Sequence, residues 1–270
     1  MRDLTRSLRS LPRLCQGDAA RMREWLDDPR GVHLAACALA ILAGGLCYGY
    51  TMGMWRSPLM GLLVALKIPL LVLLTLIVNG LINGMMAMVL GSGLGFRQTL
   101  MAMLMSFASF SLITGALAPV TLALAWSLAG PREHGSEDAY RVTVLVHTCC
   151  IAYAGYMGNR RFLPVILAAS HTVGSGYRVF FTWLAGNLFV GTQLSWIFRP
   201  FFGQESNAVE FMRADWQRSN FYLTLAGHAR DLWFSAGDIL TAMFGIIAIL
   251  VLVSTFHRKL IKPLTQNKKP

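Results

Sequence analysis

Six apolar stretches, each long enough to cross a bilayer as a helix, constrain this chain more than any other feature. A hydrocarbon core about 30 Å thick is crossed by ~20 helical residues. Within it every backbone polar group needs an internal partner, so such stretches fold as helices. They are expected at about Val32 to Gly53, Ile68 to Leu90, Thr99 to Leu128, Val142 to Gly158, Val179 to Phe198 and Ile239 to Phe256. Charged residues make up 14% of the chain and hydrophobic residues 55%, with a mean hydropathy of +0.51. A soluble domain carries about 25% charged residues, so this chain lacks the polar surface to face water all round. The expected fold is all-α: a polytopic transmembrane helical bundle of about six spans. The first apolar stretch is long and lacks a small-residue cleavage site, so it reads as a retained span and not a signal peptide.

Charge sets the expected orientation. With six spans, residues 1–31, the 91–98 and 159–178 connections and the 257–270 tail share one side. That side holds 16 of the 24 basic residues and five acids, so the whole net charge of +11 lies there. The positive-inside rule makes it cytoplasmic. The expected organisation is a basic, amphipathic cytoplasmic segment at 1–31, a six-span domain at 32–256 and a basic cytoplasmic tail at 257–270. Leu8, Leu11, Leu14, Met22 and Trp25 among the N-terminal arginines suggest short helices on the inner leaflet. The outer loop at 199–237 alternates apolar and charged residues, as interfacial helices do.

Small and polar residues within the spans mark packing and candidate polar sites. Gly45, Gly49 and Gly53 repeat at four-residue spacing in the first span, and Gly80 and Gly84 in the second. Such spacing lets two backbones approach closely, within the chain or across two copies of it. Asn79 and Asn83 share a helix face beside those glycines, Asn187 lies in the fifth span, and His147 is the histidine deepest within a span. Pro69 and Pro119 are expected to break the second and third spans. Lys67 stands at the expected outer start of the second span, where its stem can snorkel to the headgroups. Trp196, Phe198, Phe201 and Phe202 surround Arg199 at the end of the fifth span, as an aromatic belt would.

Two stretches, YGYTMGMWRSPLMGLLVALKIPLLVLLTL (48–76) and LAGNLFVGTQLSWIFRPFFG (184–203), carry a resemblance. They resemble an uncharacterised group of bacterial polytopic membrane proteins with a Tyr-Gly, Trp, Lys-x-Pro-Leu pattern early and a Gln-Leu-Ser-Trp-x-x-Arg-Pro-Phe pattern late. In layout the group is distantly similar to the Yip family of membrane-trafficking proteins, which has five spans. The resemblance implies no biochemical activity, but it singles out Tyr48, Gly49, Trp55, Lys67, Pro69, Gln193, Trp196, Arg199 and Pro200. Both stretches map to the expected outer face, which predicts one polar cluster there, formed by Tyr48, Trp55, Lys67, Gln193, Trp196 and Arg199.

Catalytic signatures are missing from the sequence: no GxSxG elbow, no HExxH, no phosphate-binding glycine loop and no acidic pair within a span. The methionine pairs at i, i+2 point in different directions on a helix and form no copper path. The sequence therefore predicts no enzyme, no metal, no cofactor and no nucleic-acid partner. It predicts a multi-pass protein of a cell membrane, in a bacterium the inner membrane, whose partners are the lipid bilayer and either another protein or a second copy of itself. Two roles fit: a non-enzymatic scaffold, assembly or membrane-organising component, or a small transporter or channel entered at the outer polar cluster.

Overall fold

The computed structural model describes residues 2–226 apart from 91–92, 132, 204–207, 215 and 219. The expected sixth span and the basic tail lie outside the described residues. The chain divides into two units, Met1–Arg218 and Ser219–Pro270. Of the second, 220–226 are described: 221–226 form a short helix whose first turn is capped by Asn220, its Oδ1 accepting from the Tyr222 amide at 2.9 Å.

The first unit contains, among its described residues, helices α1 (Arg2–Gln16), α2 (Ala19–Asp27), α3 (Gly31–Met54), α4 (Pro58–Val89), α5 (Phe96–Ser127), α6 (Ser136–Ala169) and α7 (Val173–Phe198). No strand occurs among the described residues. Helices α3, α4 and α5 are long and apolar enough to cross a membrane. The other two expected spans fall in α6 and α7, which have 34 and 26 residues. Their apolar character is diluted by Arg141, Asn159, Arg160 and Arg161 in the first and by Arg178, Asn187 and Gln193 in the second.

Local chemistry explains where the helices begin. Ser57 caps α4 by accepting from the Met60 amide at 3.1 Å, and Pro58 occupies the first turn, where its missing N–H is harmless. The helix thus starts ten residues before the expected Ile68, which carries Lys67 well inside it. Neither Pro69 nor Pro119 breaks its helix; α4 and α5 run through them. Pro69 is held by packing on α3, since a Cβ on Gly45 would lie 3.2 Å from its own.

Helix α3 lies between α4 and α5; α5 also packs on α6, α6 on α7, and α7 returns to α4. The glycines explain this closeness. A Cβ on Gly49 would lie 2.9 Å from the Ala65 Cα, and one on Gly53 2.6 Å from the Met60 carbonyl oxygen. The α3 glycine repeat therefore packs on α4 of the same chain. Gly44 meets the Ser111 backbone, and Gly115 would place a Cβ 2.9 Å from the Gly44 Cα, bringing α3 and α5 together. On α4, Gly80 and Gly84 accommodate Leu100 and the Phe96 ring of α5.

Connections sort to two ends. At one, α1 and α2 dock through buried Leu11, Leu14, Met22, Trp25 and Leu26. Cys15 shares a hydrogen bond with Ser109; burial pushes its thiol pKa up, against the opposing pull of that bond and of Arg161. Gly17, with φ +85°, turns the chain between the two helices. At the opposite end lie 54–58, 128–135 and the segment after α7. That segment is not helical over 199–203 or 208–214, and a single 3₁₀ turn follows at Trp216–Arg218. Interfacial helices are expected over 199–237 from sequence, of which 227–237 lie outside the described residues and 221–226 are helical; over 199–203 and 208–214 they do not form. Instead Pro200 stops the helix and Phe201, Phe202 and Val209 bury themselves against the bundle.

Gly49→Val should lower stability by ~1–3 kcal/mol or more, because the backbone it would strike cannot yield as a side chain does. Gly155→Ala, whose Cβ would meet nothing within 4 Å, should leave thermal unfolding in detergent unchanged. Equal shifts for the two variants would refute the α3–α4 contact.

Candidate functional site

Lys67 organises the end of the bundle opposite α1 and α2. Its side chain is fully buried, and its Nζ donates to the Pro200 carbonyl at 2.6 Å and to the Glu210 carbonyl at 3.3 Å. The Phe201 and Phe211 rings lie 5.7 and 5.5 Å away, close enough for cation–π attraction. The expectation that Lys67 snorkels to headgroups is therefore corrected: its ammonium points into protein, where backbone carbonyls replace water. A compact ammonium with three donors suits carbonyl oxygens that converge from two points of one loop.

The loop that Lys67 holds fills the space between α3, α4 and α6. Phe201, Phe202 and Val209 pack on Tyr48, Met52, Met60 and Val64. Beneath Phe202, whose ring centroid is 5.6 Å from that of His147, a buried pair joins α3 to α6: Tyr48 Oη and His147 Nδ1 are 2.9 Å apart. His147 Nε2 is buried without a hydrogen-bond partner. The aromatic belt expected at this end is thus turned inward at Phe201 and Phe202, and Phe198 is also buried, with its ring edge-on to Phe211 at 6.2 Å.

The residues expected to form one cluster are distributed over three contacts. Lys67 and Tyr48 border the loop core. Arg199 and Trp196 pair with each other, the guanidinium 3.8 Å from the ring centroid and Nη1 donating to the Trp196 carbonyl at 3.4 Å. Gln193 is half-buried on α7, about one turn before Trp196. Trp55 turns away: its Nε1 donates to the Ala129 carbonyl at 3.0 Å, and its ring lies 5.8 Å from Tyr140, so it fastens the α5–α6 connection.

Asn79, Asn83 and Asn187 form a second polar group, at the α4–α7 contact. Asn79 Nδ2 donates to the Gly186 carbonyl at 3.1 Å and to Asn187 Oδ1 at 3.0 Å. Asn83 Nδ2 lies 3.7 Å from Met103 Sδ. The Oδ1 atoms of Asn79 and Asn83 are buried without partners, and a Cβ on Gly186 would be 3.4 and 3.3 Å from them.

Sequence reasoning did not single out Arg56. Gly203 has φ +64°, and a Cβ there would lie 2.9 Å from Arg56 Cγ. A glycine three residues after Pro200 was a legible turn signal; its contact with Arg56 was not. Among the described residues, no three His, Cys, Asp or Glu side chains are grouped to hold a metal ion. Comparison of the chain with protein-family models, curated proteins and solved structures finds no match.

Removing the ammonium should loosen the loop. Lys67→Met is expected to speed proteolysis at 199–211 about tenfold, in line with the loss of ~1–1.5 kcal/mol of hydrogen bonding, with helical content retained. An unchanged cleavage rate would show that Lys67 does not hold it. Tyr48→Phe leaves His147 Nδ1 unpaired and should lower stability by about 1–3 kcal/mol, read as a lower unfolding temperature in detergent.

Proposed function

We propose that the chain is an integral membrane protein of about six spans with both termini cytoplasmic, placed in the inner membrane of a bacterium. Its role on this reading is non-enzymatic: a scaffold, assembly or membrane-organising component. The resemblance to the bacterial polytopic group is consistent with this placement. Three apolar helices, with α6 and α7 packed along them, support the bundle. Arginines gathered at the end holding α1 and α2 support the orientation.

One observation carries the scaffold reading: Lys67 and Tyr48, the motif residues most exposed to a functional interpretation, are engaged in tying a loop and two helices together. They shape a surface and leave the outer crevice filled by Phe201 and Phe202. On α4, exposed Leu59, Leu62, Leu66 and Leu70 continue at Ile77 and Leu81 as one apolar stripe available to lipid or a partner helix. The second reading, a small transporter or channel, is favoured by the two unpartnered amide oxygens of Asn79 and Asn83.

Gentle-detergent purification from the native host, followed by mass spectrometry, should recover a partner protein in stoichiometric amount. A lone chain whose proteoliposomes pass monovalent cations, with flux lost in Asn79→Ala, would replace the scaffold by the channel. A fluorescent-protein fusion at the C-terminus should fluoresce and a periplasmic-phosphatase fusion there should be inactive; the reverse result would sink the six-span topology.

A further inference from the structure

The geometry points to a binding site for the phosphate group of an anionic phospholipid, formed by Arg6, Arg9 and Arg13 where α1 faces the start of α3. This inference rests on the reading of α3 as a membrane-crossing helix. A cavity of about 300 Å³ opens between α1, α2 and the first turn of α3. That is at the small end of the range for ligand sites, a fit for a headgroup and not for a large molecule. Arg6, Arg9 and Arg13 recur at i, i+3 and i+7, so one face of α1 presents all three to it.

The electrostatics favour an added anion. Two other arginines of the cavity already have acids: Arg21 pairs with Glu24 and Arg30 with Asp28, each at 2.6 Å. Among the described residues no acid or acceptor is bonded to Arg6, Arg9 or Arg13. Asp3 is the remaining acid at the rim. Three unpaired guanidinium groups on one helix face repel each other, and a phosphate accepting from them relieves that repulsion through charge-assisted bonds. The floor is rigid: Trp25 is buried and stacks on His33 with centroids 4.3 Å apart, and Ser7 Oγ lies 3.1 Å from His33 Nδ1.

Position selects a lipid over a free phosphate ester. Val32 lines the cavity, and Leu39 and Leu46 follow it at seven-residue intervals along α3. Leu39, Leu42 and Leu46 are exposed. An acyl chain hanging from the cavity would therefore lie along an apolar ridge of the same helix that helps to form the headgroup site. The phosphate would sit about one turn from the first apolar residues of α3, at the depth where basic side chains meet headgroups.

The test uses the full chain in detergent and a triple variant, Arg6→Gln, Arg9→Gln and Arg13→Gln, on an exposed helix face that tolerates glutamine. Lipid mass spectrometry after purification should find phosphatidylglycerol retained by the unmodified chain and lost from the variant, by about fivefold per arginine removed. Micelles doped with phosphatidylglycerol should raise the unfolding temperature of the unmodified chain and not of the variant; phosphatidylcholine and inorganic phosphate should raise neither. Equal retention and equal stabilisation of the two proteins would overturn the site. Full stabilisation by inorganic phosphate alone would overturn the lipid assignment. Chain that stays dispersed without detergent would overturn the membrane reading itself, and would be seen before any lipid is added. Exchanging Arg23, an exposed arginine that does not line the cavity, for glutamine controls for net charge and should leave retention unchanged.

Discussion

The close approach of α3 to α4 and α5 underlies the rest of the structure. Between helices in lipid there is little hydrophobic drive, and association depends on van der Waals contact and on hydrogen bonds that short distances permit. Gly45, Gly49 and Gly53 supply that contact to α4, and Gly44, meeting the backbone of Ser111 and the glycine at 115, supplies it to α5. Because the backbones nearly touch, Thr51 of α3 and Thr121 of α5 come within 2.8 Å and share a buried hydrogen bond. Tyr48, on the same helix, is thereby placed to reach His147 of α6.

The consequence at the far end is an ammonium group inside protein. A buried charge is tolerated when its solvation shell is replaced by well-placed dipoles. For Lys67 the replacement comes from a loop, through the carbonyls of Pro200 and Glu210 and the faces of two phenylalanines. The arrangement is reciprocal: the loop neutralises the cost of burying Lys67, and Lys67 keeps a non-helical segment in register against α3, α4 and α6. Phe201, Phe202 and Val209 then bury apolar surface that an interfacial helix would have left at the headgroups.

The two ends of the bundle differ in character. The end with Lys67 is closed by its own loop, its polar groups directed at one another. Among the described residues, the end with α1 and α2 is rich in arginine, three of them with no acid bonded to them. Along the side of the bundle, α4 carries a stripe of exposed apolar residues.

The helical character, the approximate positions of the apolar helices and the crowding of arginine toward one end were legible in the sequence, because helix length, apolar composition and charge are properties of local stretches. The α3 glycine spacing was legible too, but not its partner, since four-residue spacing marks a face without naming what lies against it. Only the tertiary structure decided that Lys67 turns inward, that Trp55 leaves the expected cluster for Ala129 and that Asn79 reaches Asn187. Those outcomes depend on residues more than a hundred positions apart for Lys67 and Asn79, and on which helix becomes a neighbour. The helix start at Pro58 and the continuity through Pro69 belong to the same class: whether the helix survived its proline depended on α3 packing against it.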